Sequence, residues 1–295
     1  MAFAAIAIMY IVIDLLGYSD SEYKRFTSGT KSSLIVGTSR SAQGIVPEVV
    51  NAKLAPEAFD LPIYNFSFNV GTSPYGETYY KAIKKKLQFN PDTTSLFIVS
   101  VDPFSLSTER GQDAKGFRED SRCLKRVRVY TRPQLWYMLL YCRPHQWVSN
   151  HSSILHEDGW LEVNGIMMDS LSIDERLEKK MTEYEQYEIS SSSYRLEWLR
   201  ATVELMKQNG SVFMCRIPVS NEMQEWEDQC WPDFDEDMNA MAREAGIEYY
   251  SFSSASGQYR TTDGNHLYYE DGKIFTSMLC DSILTSGICR KNRLQ

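Results

Sequence analysis

Apolar positions in this chain come in short runs separated by longer, more polar stretches. Residues 32–36, "SSLIV", and 62–68, "PIYNFSF", read as strands, and 95–101, "SLFIVSV", is apolar at nearly every position. That continuity suits a central parallel strand covered on both faces, because a strand with one wet face alternates. Residues 211–218, "SVFMCRIP", and 247–253, "IEYYSFS", bring the series to five. Helices are expected between them. Pro47 opens a short one over 47–54, at a first-turn position that tolerates proline. The segment 75–87, "YGETYYKAIKKKL", gathers its lysines toward the C-terminal end, where they complement the helix dipole. A helix over 194–210 is stopped by Asn209-Gly210, another ends at Gly246, and a last one runs from about Asp271 to Leu284.

The alternation pauses between about 105 and 190. This stretch holds basic and aromatic segments, a possible hairpin around "HEDGWLEVNG", and a polar helix opening with Ser172 and Glu175 in capping-box spacing. It reads as a large, mainly helical insertion over one end of the sheet. Strands alternating with helices predict an α/β fold, a doubly wound, flavodoxin-like sheet of five parallel strands. In such sheets ligands bind beyond the carboxyl ends of the strands.

That rule gives meaning to "VGTSR". Thr38, Ser39 and Arg40 stand at the carboxyl end of the first strand, where a plain turn would suffice. A serine hydroxyl is a poor nucleophile until a base takes its proton. Of four histidines, His145, His151 and His156 fall in the insertion, and His266 follows the fifth strand in "TTDGNHLYYEDG". Asp263, three residues earlier, is placed to orient that imidazole and stabilise its charged form. An oxyanion needs fixed donors. After the second strand, "YNFSFNVGTSP" offers the Gly71 backbone amide and the side chains of Asn65 and Asn69. Arg40 has two readings: it binds an anionic substrate group, or it pairs with Asp102 across adjacent strand ends.

Composition narrows the classes. Among 295 residues, 43% are hydrophobic, enough for a sizeable core, and the formal charge of -8 disfavours a nucleic-acid partner. His145, His151, His156 and Asp158 match no strong metal-ligand spacing. Six cysteines include no CxxC pair, and Cys215, inside a strand-like run, reads as a buried free thiol. Trp160, Trp226 and Trp231 are candidates for stacking sugars or for packing the core. Residues 1–18, "MAFAAIAIMYIVIDLLGY", read as an uncleaved membrane anchor, a little short of the roughly 20 residues that span a bilayer. A signal peptide and a helix packed on a soluble domain are the alternatives. No basic residue precedes the run, which suggests a start codon further upstream and a domain, 19–295, outside the cytoplasm, in the periplasm or at the cell surface.

Taken together, Gly37-Thr38-Ser39, Gly71 and Asp263-x-x-His266 resemble the blocks of the SGNH/GDSL hydrolase superfamily. The wording is closest to its membrane-anchored branch of D-alanyl-transfer and alginate O-acetylation proteins. The resemblance spans 1–104 and 211–285 and leaves the insertion unexplained. It implies Ser39 as nucleophile, His266 as base, Asp263 as its orienter and Gly71 as an oxyanion donor, with no cofactor or metal. The implied substrate is an acylated cell-envelope glycan or a small acyl ester, and the implied partner is a membrane-bound O-acyltransferase. One departure stands out. Where the family's third block carries an asparagine donor, this chain has Asp102 in "SVDPF", and an ionised carboxylate donates nothing. The resemblance therefore admits two functions: a serine esterase or O-acyltransferase, and a catalytically silent subunit that binds glycan or a membrane partner. A soluble lipase or esterase is a third, should the N-terminus be a removed signal.

Overall fold

The computed structural model describes residues 2–16, 22–57, 59–109, 124, 153–185 and 189–287. The strands are β1 (Leu34–Val36), β2 (Tyr64–Asn65), β3 (Ser95–Ser100), β4 (Ser107–Glu109), β5 (Ser153–Leu155), β6 (Leu161–Val163), β7 (Ile189–Ser191), β8 (Gly210–Arg216) and β9 (Glu248–Ser251). Five of them form one parallel sheet in the order β2-β1-β3-β8-β9. Counting only those five, the order is 2-1-3-4-5, and the strand order reverses between β1 and β3, where sheets of this kind place ligands. Ser39 lies just beyond β1, after Gly37 and Thr38.

The helices are α1 (Ala2–Leu16), α2 (Tyr23–Thr27), α3 (Ser39–Gly44), α4 (Pro47–Leu54), α5 (Glu77–Lys86), α6 (Ser170–Glu185), α7 (Ser193–Lys207), α8 (Asn221–Cys230), α9 (Phe234–Ala245) and α10 (Tyr269–Thr285). The sheet is covered on both faces, which is why β3 is buried at every position. Successive side chains point to opposite faces. Leu34, Val36, Phe97, Val99 and Met214 meet α5, α7 and α9 through Tyr79, Ile83, Leu199, Met206 and Met238. Ile35, Leu96, Ile98, Phe213 and Cys215 meet α4 and α10 through Val50, Leu54, Phe275, Leu279 and Ile283.

Two helix boundaries differ from expectation. The polar helix begins at Ser170, ahead of the Ser172–Glu175 pair. The amide of Ser172 donates to Asp169 Oδ1 at 3.0 Å, so an aspartate outside the expected box satisfies the first turn. Asn209 does close α7, with its Nδ2 donating to the Leu205 carbonyl at 2.7 Å. Gly210, however, is already the first residue of β8, paired opposite Ser95. α9 ends as expected, on Gly246 in the left-handed conformation.

The long excursion leaves and returns through the antiparallel pair β4–β7. Its described part holds the antiparallel hairpin β5–β6 and the 16-residue α6. The hairpin's turn lies along β2, the edge strand, where the Asn65 amide donates to the Asp158 carbonyl at 2.8 Å. Gly159, at φ +86°, presses so close that an added Cβ would stand 2.1 Å from the Asn65 carbonyl oxygen. Arg25 of α2 holds the same turn, donating from Nε and Nη2 to the Gly159 carbonyl at 3.1 and 2.9 Å.

α1 exposes Ile6, Ile8, Met9, Ile11 and Val12. No helix among the described residues is long and apolar enough to cross a membrane. Cys215, Cys230 and Cys280 are free thiols, while Cys123, Cys142 and Cys289 lie outside the described residues.

Candidate active site

The chain reaches Ser39 through Gly37, whose φ of +152° disfavours any side chain, and an added Cβ there would sit 2.4 Å from Ser41 Oγ and 2.9 Å from Ser100 Cβ. The amide of Gly37 donates to Tyr79 Oη at 3.1 Å, and its carbonyl accepts from Ser73 Oγ at 2.8 Å. The turn is thus fixed from both sides before α3 starts. Ser39 is the first residue of that helix, so its backbone amide has no intrahelical acceptor.

His266 comes from the far side of the sheet. The segments around Thr261 and Leu267 pair antiparallel, with Thr262 N donating to the His266 carbonyl at 2.8 Å. Asp263 Oδ1 accepts the amides of Asn265 at 3.1 Å and His266 at 3.0 Å, which curls the loop back on itself. The same carboxylate lies 2.9 Å from His266 Nδ1 through Oδ2, and His266 Nε2 lies 2.8 Å from Ser39 Oγ. Burial pushes the Asp263 carboxyl up, but the imidazole's charge and hydrogen bond, helped by Lys180, hold it well below the usual carboxylate range. The structure therefore brings Ser39, His266 and Asp263 into one hydrogen-bonded chain. Ser39 and His266 both keep partial exposure.

Arg40, the next residue, is buried with 3% exposure. It does not pair with Asp102. Its Nη2 lies 2.6 Å from Glu227 Oε1, and its Nε donates to Asn265 Oδ1 at 2.8 Å. Glu227, fully buried on α8, also meets Arg216 Nη2 at 2.8 Å, and Arg216 Nη1 reaches Asp235 at 2.9 Å. Burial works against every charge in this network. The opposite charges prevail: Arg40 and Arg216 keep Glu227 ionised, and Glu227 with Asp102 keeps Arg40 protonated. Arg40 contributes a buried ion pair, so no substrate anion is needed to account for it.

Asp102 is a turn residue. Its Oδ1 accepts the Ser105 amide at 2.8 Å and its Oδ2 accepts the Thr38 hydroxyl at 3.2 Å. It acts on Arg40 only through its field. Asn65 is likewise committed, donating from Nδ2 to the carbonyls of Ser41 at 2.8 Å and Ile45 at 2.9 Å, so it is not an oxyanion donor. Exposed Asn69 donates to Glu22 at 3.2 Å. Gly71 lies in the Asn69–Ser73 turn that Ser73 ties to the Gly37 carbonyl.

Motif spacing missed Asn265, which sits between Asp263 and His266 and touches both Arg40 and the imidazole, 3.3 Å from Nε2 through Nδ2. The signal was available: an arginine beside the serine requires an acceptor. Glu227, Arg216 and Tyr184 carried no local signal. Tyr184, from α6, stacks on Phe104 at 4.4 Å and leans on Trp226 at 5.3 Å, and this cluster borders the site. Burial, with Arg40 opposing and Asp102 and Asp263 reinforcing, raises the phenol's pKa, so it stays protonated.

The tryptophans are not open platforms. Trp160 and Trp226 are buried, with Trp160 Nε1 donating to the Gln43 carbonyl at 2.9 Å, and Trp231 packs edge-on against Phe234. His156 pairs with Glu162 at 2.8 Å and stacks on Trp160, while His145 and His151 lie outside the described residues. Among the described residues no group of three or more His, Cys, Asp or Glu is arranged to hold a metal.

No protein-family model matches the chain, and neither a curated protein nor a solved structure matches it. The functional reading therefore rests on the geometry at Ser39.

Proposed function

We propose that this protein is an SGNH-like serine esterase or O-acyltransferase. The observation that carries this reading is the 2.8 Å contact between Ser39 Oγ and His266 Nε2, on a serine that keeps partial exposure. Asp263 at Nδ1 takes that nitrogen's proton as a hydrogen bond, which leaves Nε2 as the acceptor for the serine. Ser39 Oγ attacks an ester carbonyl and its proton passes to Nε2. The tetrahedral adduct collapses, the ester C–O bond breaks, and Nε2 returns the proton to the leaving oxygen. Water or a sugar hydroxyl then removes the acyl group by the same steps in reverse.

The acyl group is taken to come from an envelope glycan or related carrier, with α1 holding the domain at a membrane outside the cytoplasm and a membrane O-acyltransferase as partner. The five large apolar side chains that α1 exposes favour membrane attachment. At about 1.5 Å per residue its 15 residues reach only about 22 Å, short of a bilayer core. Fractionation tests this: the full chain should partition with membranes and a chain starting at Glu22 should not. A full chain soluble without detergent would remove the anchor.

The test of the activity is labelling with a fluorophosphonate probe together with hydrolysis of p-nitrophenyl acetate. Wild-type protein should be labelled at Ser39 and hydrolyse the ester, and Ser39→Ala should do neither. A second reading, a silent glycan- or partner-binding subunit, is favoured by the packed Phe104–Tyr184–Trp226 cluster beside the site and by Asp102, which only accepts. Wild-type protein that neither labels nor hydrolyses would establish that reading over the enzyme.

A further inference from the structure

A tetrahedral adduct on Ser39 places a negative oxygen beside Oγ, and that oxygen needs donors already in place. The polar groups nearby are nearly all spent. The Asp102 carboxylate oxygens serve as acceptors for two partners. Both Nδ2 hydrogens of Asn65 go to backbone carbonyls, and Asn69 faces Glu22. Among these side chains Asn265 is the exception.

The orientation of the Asn265 amide follows from its neighbour. A guanidinium only donates, so the atom 2.8 Å from Arg40 Nε is the carbonyl oxygen, and the NH2 group faces His266. Nδ2 lies 3.3 Å from Nε2, the same nitrogen that receives the serine proton, so Nδ2 and Ser39 Oγ are neighbours around one atom. Two donors thus compete for one lone pair in the resting site. Attack resolves the competition: Oγ delivers its proton, Nε2 becomes an N–H, and it can no longer accept from Asn265. The amide loses its acceptor in the same step that creates a negative oxygen next to it.

We propose that Asn265 Nδ2 is a donor of the oxyanion hole and that it replaces the donor Asp102 cannot be. This rests on Ser39 being the nucleophile. The assignment gives Arg40 and Glu227 a purpose as well. Arg40 fixes the amide and polarises it from behind, and Glu227 fixes Arg40. A donor whose ground-state bond is weak and whose transition-state bond is strong lowers the barrier without tightening substrate binding.

The experiment uses the full chain, p-nitrophenyl acetate, and a trifluoromethyl ketone whose serine adduct carries the oxyanion. Asn265→Ala should lower kcat about a hundredfold with KM within about threefold, and weaken the ketone by a similar factor. Asn265→Asp keeps the acceptor for Arg40 and so keeps the fold, yet removes the donor; it should show the same kcat loss at an unchanged melting temperature. Activity within about threefold of wild type in Asn265→Asp, with Ser39→Ala inactive, would overturn the assignment and leave the serine enzyme intact. So would a loss confined to KM, or a hundredfold loss in Tyr184→Phe with Asn265→Asp spared. Wild-type protein without Ser39-dependent turnover would overturn both readings together.

Discussion

Ser39 and Arg40 are consecutive residues with opposite surroundings. Ser39 stays half-buried, with its hydroxyl on one imidazole nitrogen; Arg40 is sealed between Asn265 and Glu227. The helix that starts here turns roughly 100° per residue, so neighbouring side chains leave it in different directions. On the proposed reading, the contrast shows how a nucleophile can be held without being covered. Packing around the serine would block a substrate. The rigidity is supplied one residue along, where charges can be buried and bound, and it reaches the His266 imidazole through Asn265.

The comparison breaks most severely at the exposed end. Ser39→Ala and His266→Ala should each abolish fluorophosphonate labelling, and labelling that persists in both would discard the triad. Asp263→Asn should follow, with kcat down by about 10⁴, because the amide no longer enforces the Nδ1–H tautomer; steady-state kinetics with the fold checked by circular dichroism would show it. At the sealed end the expected damage is to stability. Glu227→Ala leaves Arg40 buried without its ion pair and Arg216 with only Asp235 and Asp228, and should cost about 3–5 kcal/mol in a denaturant titration. The smallest change is at Asp102. Asp102→Ala takes the acceptor from the Thr38 hydroxyl and leaves the Ser105 amide only the backbone carbonyl of residue 102 at 3.2 Å, and should cost about 1–3 kcal/mol, with Asp102→Asn milder and neither raising the rate. A severalfold faster Asp102→Asn would mean that this carboxylate faces the oxyanion after all.

Acid should probe both ends at once. Glu227, Asp235 and Asp263 all have folded-state values below their ordinary ones. Their contribution is complete above the unfolded carboxylate range, about pH 4–4.5, and is lost as pH falls toward the folded values. The contribution of these three groups to the melting temperature should therefore be constant down to about pH 5 and lost below it, with the drop below pH 5 less steep in a surviving Glu227→Gln variant.

The central strands were legible as short apolar runs, above all β3, which is buried on both faces. Ser39, Asp263 and His266 were legible because the chemistry demands those residue types at strand ends. Asp102 shows the limit. Its position after β3 fixed where it lies, but only the Ser105 amide and the Thr38 hydroxyl decide which way it faces. Glu227 could not be found at all, since an acid on an amphipathic helix reads as solvated until β8 and α3 bring two guanidiniums to it. Trp160 and Trp226 look alike on paper whether they stack on a sugar or on the protein, and tertiary packing chose the protein.

The hairpin turn against β2 has a consequence for how the chain comes together. A two-residue edge strand offers an unpaired amide to any passing strand, and here the Asp158 carbonyl takes it, with Gly159 closing the remaining space. That partner is made only after β3 and most of the excursion have left the ribosome. The first three strands of a nascent chain thus wait with an open flank, and a contact of such long sequence separation is late and slow to form. Gly159 substitutions should therefore appear as association during refolding sooner than as lost activity in the finished protein.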